Sequence, residues 1–298
     1  MTAVFIGPCG LRAGWAILIF VAAVRGLLVL GASVLTYVSG KGLDLARGRY
    51  LDVSAETVPA MFKVVAVLLP ACAMCLLERR RFGVYGLDWR HVIDVLPGAL
   101  TGLIAMSILV GVLAALHLLV FDARLLHGAV IFRSGGAWLF FYSLVAVYEE
   151  TLFRGYVLLT LMRGLLGIAG RVSIANAREI AFWLSVAACS LLFFLLHANN
   201  ADETATGLFG IFLFGVLCSY ALWRTGSLWW SIGFHMIWNW TESFLYGVPD
   251  SGALSIGRLL AGHASGNSLL SGGLAGPEGS LLLLPLLSLI CMRSILTR

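Results

Sequence analysis

Of 298 residues, 60% are hydrophobic and 12% charged, which is more apolar surface than one water-soluble core can hide. The chain therefore reads as an integral membrane protein. Its formal net charge of +5 is ordinary for the loops of such a protein, where the lipid bilayer itself is the partner and no nucleic acid is expected.

Apolar runs in chain order predict eight spans: Gly14–Val38, Thr57–Leu77, Val92–Val120, Trp138–Met162, Ala181–His197, Leu208–Trp223, Leu228–Tyr246 and Ser280–Leu296. Most have the ~17–25 residues a helix needs to cross the hydrocarbon layer. Backbone groups in lipid must bond within their own segment, and the period-2 alternation of a barrel is not visible. The expected fold is thus all-α, a polytopic transmembrane helical bundle of about eight spans. The first span is long, lacks a small-residue cleavage site and is followed by further spans, so it reads as an uncleaved helix. Cys9, Cys72, Cys75, Cys189, Cys218 and Cys291 sit mostly in apolar runs; the Cys72-x-x-Cys75 pair reads as packing inside a span, with no disulfide framework implied.

No internal repeat and no soluble domain stands out, so residues 1–298 read as a single integral membrane domain. Spans 138–240 would form its catalytic core. The Gly- and Ser-rich stretch 247–279 reads as a flexible non-cytoplasmic loop, with room for a short interfacial helix around Ile256–Leu260. Glu78, Arg79, Arg80, Arg81 and Arg90 mark one loop as cytoplasmic by the positive-inside rule, which places both termini there too. Among the 20 basic residues only Lys41 and Lys63 are lysines. That bias suggests a GC-rich coding sequence, hence a bacterial inner (plasma) membrane.

The most informative run is Tyr148-Glu-Glu-Thr-Leu-Phe-Arg-Gly-Tyr156, which puts two carboxylates and an arginine inside a span. Each charge at mid-bilayer costs about 2.5–3.5 kcal/mol on insertion scales, so partners, a wet cavity or both are implied. Glu150 and Arg154 are at i and i+4, share a face and can pair, whereas Glu149 is rotated by ~100° and left for chemistry. A carboxylate in an apolar cavity is driven towards neutral-range acid/base work, and one beside an arginine is driven away from it. On the fifth span Phe193 and His197 close an apolar run; by itself His197 also fits a helix C-terminus favoured by the dipole. On the seventh, His235 and Asn239 lie one turn apart with Glu242 continuing the stripe, and either could simply hydrogen-bond across the bundle. Two acids, an arginine, two histidines and an asparagine on three spans are too many for packing alone, since each needs a partner away from water.

Depth places a condition on this grouping. Glu149 and His197 lie roughly 20–25 Å from the cytoplasmic side, whereas His235 is only about 10 Å beyond Leu228 at 1.5 Å per residue. Span seven must then begin deep, or the site must be a funnel.

The order Glu149-Glu150-x-x-x-Arg154, Phe193-x-x-x-His197, His235-x-x-x-Asn239 on successive hydrophobic segments resembles the CPBP family of intramembrane proteases, the CAAX-protease and bacteriocin-processing (Abi) family. The likeness covers about Trp138 to Trp240; the N-terminal spans and the tail match only in being hydrophobic. It implies hydrolysis of a peptide bond near the terminus of a membrane-associated protein or peptide. Glu149 would activate water with help from His197, and His235 with Asn239 would face the oxyanion, supported by Glu150, Arg154 and Phe193. Members are described both as metalloproteases and as metal-free glutamate proteases. No cofactor is firmly implied: Glu149, His197 and His235 could supply three zinc ligands, but the H-E-x-x-H helix of zincins is absent, which favours direct activation of water by Glu149. Two other classes compete. A proton-coupled transporter uses the same residue types at mid-depth, although no internal symmetry is visible. A non-catalytic immunity or chaperone-type membrane protein could retain the bundle.

Overall fold

In a computed structural model, the structure describes residues 6–7, 10–39, 49–169, 175–200 and 202–296. Cys9 and Lys41, named above, lie outside the described residues. A two-residue hairpin, β1 (Ile6–Gly7) with β2 (Gly10–Leu11), precedes helix α1 (Ala13–Ser39). Strand β3 (Tyr50–Leu51) leads into α2 (Val53–Leu77), whose start is capped by Asp52 accepting from the Ser54 N–H at 2.9 Å. After two 3-10 turns come α3 (Val95–Ala115) and β4 (Leu119–Arg124). One long rod follows: α4 (Val130–Glu150), a π-helical stretch Thr151–Leu158, and α5 (Leu159–Ala169). The remaining helices are α6 (Ala177–His197), α7 (Ala205–Thr225), α8 (Trp229–Trp240, extended as a π-helix over Thr241–Tyr246), α9 (Ser268–Ser271) and α10 (Leu283–Leu296), with strands β5 (Leu254–Ser255) and β6 (Leu260–Ala264) between α8 and α9.

The fold is an all-α polytopic bundle. Among the described residues, six helical segments are long and apolar enough to cross a membrane: Ala13–Val38, Val53–Leu77, Phe82–Ala115, Val130–Ala169, Ala177–His197 and Ala205–Thr225. Two of the eight expected spans fall short of that standard. The seventh is α8 with its π extension, shortened and made polar by His235, Asn239 and Glu242; the eighth, α10, has 14 residues, about 21 Å of helix against ~30 Å of hydrocarbon. The third ends earlier than expected, because His117 takes φ +57° and turns the chain out of α3 into β4. Outward-facing apolar side chains such as Leu18, Val29 and Leu30 on α1, opposite buried Ala16, Phe20 and Val24, suit a lipid surround.

The pairing that positions the site is α3 against α8. Gly98 and Gly102 sit one turn apart on α3 and Gly233 faces them from α8. A Cβ on Gly98 would overlap the Trp230 carbonyl oxygen, one on Gly233 that of Val95, and one on Gly102 would lie 2.6 Å from that of Phe234. Small residues thus let the two backbones touch, the usual device where lipid supplies no hydrophobic drive between helices. The start of α8 is fixed from below: the Leu228 N–H donates to Gly86 O at 2.8 Å, the Trp229 indole to Asp88 O at 2.9 Å, and Leu228 is fully buried. Span seven therefore begins inside protein, on the 82–94 segment. At the same end, Arg163 clasps Glu78 through two bonds of 2.6 and 2.8 Å, tying α5 to the end of α2.

The opposite end is closed by residues 247–279. Strand β5 runs parallel to β3 and β6 antiparallel to β4. Two side chains of α4 fasten the segment, Ser134 Oγ donating to Gly257 O (2.6 Å) and the Trp138 indole to Ile256 O (3.0 Å), while Tyr142 OH, one turn on, donates to Ser243 Oγ (2.6 Å) in the π extension of α8. The glycines that suggest flexibility in the sequence serve tight turns here. No helix forms at 256–260; Gly257 at φ +75° turns the chain between β5 and β6.

Candidate active site

The Glu149-Glu150 pair stands at the junction where α4 widens into its π stretch. Such i→i+5 segments recur at functional sites, because they re-aim side chains without breaking the helix. Glu150 is 0% and Arg154 1% exposed; Arg154 Nη1 donates to Glu150 Oε1 at 3.0 Å. The guanidinium lies 4.4 Å over the Phe193 ring, which meets Phe153 edge-on at 5.0 Å. The second atoms of this pair, Glu150 Oε2 and Arg154 Nη2, are buried without a hydrogen-bond partner. The pair is therefore held by one charge-assisted bond and one stacking contact.

From α8, buried His235 points its Nδ1 at the same oxygen, Glu150 Oε1, at 3.0 Å. With a carboxylate as acceptor, Nδ1 carries the proton. The other ring nitrogen, Nε2, stands 3.8 Å from Glu149 Oε2. That is too long for a direct hydrogen bond and suits a water-bridged contact. Phe214 of α7 meets the imidazole edge-on at 5.1 Å.

His197 ends α6, half-buried, and its Nδ1–H donates to the Phe193 carbonyl at 2.8 Å, with Nε2 as the other ring nitrogen. Phe193 thus touches both Arg154 and His197, whose ring lies 4.4 Å from its own. Glu149, His197, His235 and Asn239 all line one cavity of about 70 Å³, together with Lys63, Tyr148, Asp250 and Glu278. A water needs ~10–15 Å³ measured this way, so the cavity has room for several.

The residues that would hold a zinc ion beside this cavity, Glu149, His197 and His235, are less tightly gathered than another trio. Among the described residues, the trio of His, Cys, Asp or Glu whose ligand atoms lie within 4.8 Å of one another is Glu242, Asp250 and Glu278, not Glu149, His197 and His235. Both histidines bond through Nδ1 to an oxygen, Glu150 Oε1 and the Phe193 carbonyl, so any metal contact would be made by Nε2.

Glu242, which continues the His235–Asn239 stripe in the sequence, sits instead in the π extension of α8 and is wholly buried away from that stripe's cavity-lining members. Sequence reading also missed Lys63, Asp250 and Glu278 as cavity residues; the last two lie in the 247–279 segment, whose composition signals turns and not walls. Two tryptophans of α8 make specific bonds: Trp238 is 1% exposed and its indole donates to Glu278 Oε1 at 2.7 Å, and that of Trp240 donates to Gly135 O at 2.8 Å. The cysteines outside Cys9 carry free thiols.

Residues 133–241, the stretch that carries Glu149, Arg154, His197, His235 and Asn239, match the family model described as type II CAAX prenyl endopeptidase Rce1-like. No curated protein and no solved structure matches the chain. The protein is an integral membrane protein that carries an Rce1-like domain, consistent with a CPBP-family intramembrane protease.

Proposed function

We propose that the protein is an endopeptidase that hydrolyses a peptide bond near the terminus of a membrane-associated protein or peptide, with Glu149 as the base that activates water. The observation that carries this reading is the 3.8 Å separation of Glu149 Oε2 from His235 Nε2 at the wall of a cavity that His197 and Asn239 also line. A water held between Glu149 and the imidazoles would lose a proton to Glu149 as its oxygen attacks the scissile carbonyl. The tetrahedral intermediate then collapses by expelling the amine, which takes that proton back from Glu149.

His197, with its proton fixed on Nδ1 by the Phe193 carbonyl, presents a lone pair on Nε2 that can orient the same water. Asn239 supplies an amide donor to the developing oxyanion without any change of protonation. His235, held through Nδ1 by Glu150, turns its Nε2 towards Glu149 at the same cavity. Glu150 and Arg154 do not reach the reacting atoms; they hold His235 and Phe193 in place. No step goes through a metal.

The alternation of helices puts residues 247–279 at the end opposite the arginine-rich 79–90 loop. With that loop cytoplasmic, both termini are cytoplasmic, the 247–279 segment faces the other side, and residues 138–240 form the catalytic core of a single 1–298 domain. A bacterial inner membrane suits the arginine bias.

The test reconstitutes the purified protein in lipid vesicles with peptides cut near a terminus, beginning with a prenylated C-terminal CAAX peptide, the substrate the family description names, and its unprenylated counterpart. Cleavage by wild type and none by Glu149→Gln supports the assignment. Cleavage retained by Glu149→Gln ends it, and proton flux without cleavage favours the transporter.

A further inference from the structure

The acids that close the opposite end of the cavity are not used by this mechanism. Glu242 lies in the π extension of α8, Asp250 in the turn that bridges back to Ala253, and Glu278 in a 3-10 turn at Pro277–Gly279. One carboxylate oxygen from each lies within 4.8 Å of the others. The chain is shaped to make this happen: Gly276, at φ +100°, presses so closely on Pro249 that any Cβ would overlap the Pro249 carbonyl oxygen, which brings Glu278 against Asp250.

Glu242 is 0% exposed and neither of its oxygens makes a well-formed hydrogen bond. The other two are partly tied: Glu278 accepts from the Trp238 indole (2.7 Å) and from Ser251 Oγ (3.3 Å), and Asp250 accepts from Ser243 Oγ (3.2 Å). The charges that act most strongly on Glu242 and Glu278 are those of other acids, Asp250 and Glu203 among them. A buried carboxylate with no well-formed hydrogen bond, facing two more carboxylates, is costly unless a proton or a cation joins them.

We propose that Glu242, Asp250 and Glu278 bind one hard divalent cation, of the calcium or magnesium class, at this end of the bundle. Ligands at ~2.0–2.6 Å from such an ion stand no more than about 5 Å apart, and the three oxygens lie within 4.8 Å of one another. The donor set is oxygen only, without thiolate or imidazole, and that selects hard cations over zinc or copper. Both unpartnered oxygens of Glu242 become ligands, and Asp250, Ser251 and Glu278 line the cavity, which gives the ion and its waters a way in. The cation would pin residues 247–279 to α8, three residues beyond Asn239.

The proposal does not depend on the hydrolase reading and is tested by binding. Full-length protein in detergent, stripped with EDTA, is titrated with calcium and separately with magnesium by calorimetry, and its Tm is followed in parallel. One saturable site for either ion with a rise in Tm is expected, weakened at least tenfold in Glu242→Gln and in Asp250→Asn and unchanged in Glu149→Gln. Should Glu242→Gln fail to fold, Asp250→Asn, at a half-buried position, decides the question. Absence of saturable binding of either ion to wild type, or binding unchanged in Asp250→Asn, overturns the proposal and leaves a proton-sharing acid cluster.

Discussion

His235 and Arg154 meet at a single oxygen: both donate to Glu150 Oε1, each at 3.0 Å, from helices that are 81 residues apart in the chain. One buried carboxylate thus neutralises the arginine and fixes the proton of the imidazole on Nδ1. What faces the cavity is then Nε2, beside Glu149.

Removing one member of a buried ion pair leaves the other as an uncompensated charge, a loss of about 3–5 kcal/mol. Arg154→Ala is expected to lower Tm sharply and to abolish cleavage. Arg154→Lys should rescue little, because an ammonium cannot lie flat over Phe193 while donating to Glu150. The double variant Glu150→Leu/Arg154→Leu removes both charges together and is expected to recover most of the Tm, since apolar replacements of whole buried pairs are often neutral. It should stay inactive, because His235 has lost its acceptor. Thermal melts of the three variants beside their cleavage rates separate stability from orientation; a double variant that cleaves normally would refute the positioning role.

If Glu149 is the base, Glu149→Gln keeps the shape and loses the chemistry. The side chain is 16% exposed at the cavity wall, so the fold has little reason to change. A loss of at least three orders of magnitude in cleavage is expected with Tm within a few degrees of wild type. A Tm that falls with the activity would point to a structural acid.

Asn239→Ala tests the oxyanion role. A preorganised donor is worth about 2.7–4 kcal/mol in kcat, or 10²–10³-fold. The expected loss is in kcat with KM nearly unchanged, since the donor acts on a charge that the ground state lacks. A rise in KM with kcat preserved would make Asn239 a substrate-binding group instead.

Much of the site is visible in the sequence because its residues are expensive where they stand. Charges and imidazoles in apolar runs announce themselves, and the i, i+4 spacing of Glu150 and Arg154 carries over into contact although the backbone between them is π-helical and not α-helical. The spans of α1, α2, α6 and α7 are legible for the same reason, as uninterrupted apolar length. What sequence reading misses has no local signature. The acids at 250 and 278 reach the cavity through turns at positive-φ glycines, so their placement depends on long-range packing. The starting point of α8 depends on the 82–94 segment packing against it. The one unread signal was Gly98-Ala-Leu-Thr-Gly102, a small-x-x-x-small pattern that marks where a helix can come close.

That glycine pair gives the last prediction. Because a Cβ on Gly98 collides with backbone and not with a movable side chain, the neighbour cannot yield by changing rotamer. Gly98→Ala must push α8 away from α3, and α8 carries His235 and Asn239. The helix that moves starts from a fixed point at Leu228, so the displacement tilts it and should carry Nε2 of His235 away from Glu149. Strain of this kind costs about 1–3 kcal/mol. The expected phenotype is a moderate fall in Tm with a disproportionate loss of cleavage. Ala substitution at Gly111 of the same helix, where a Cβ meets nothing within 4 Å, is the control and should leave both unchanged. Equal losses at Gly98 and Gly111 would mean that helix propensity or lipid contact, and not the α3–α8 approach, governs the effect.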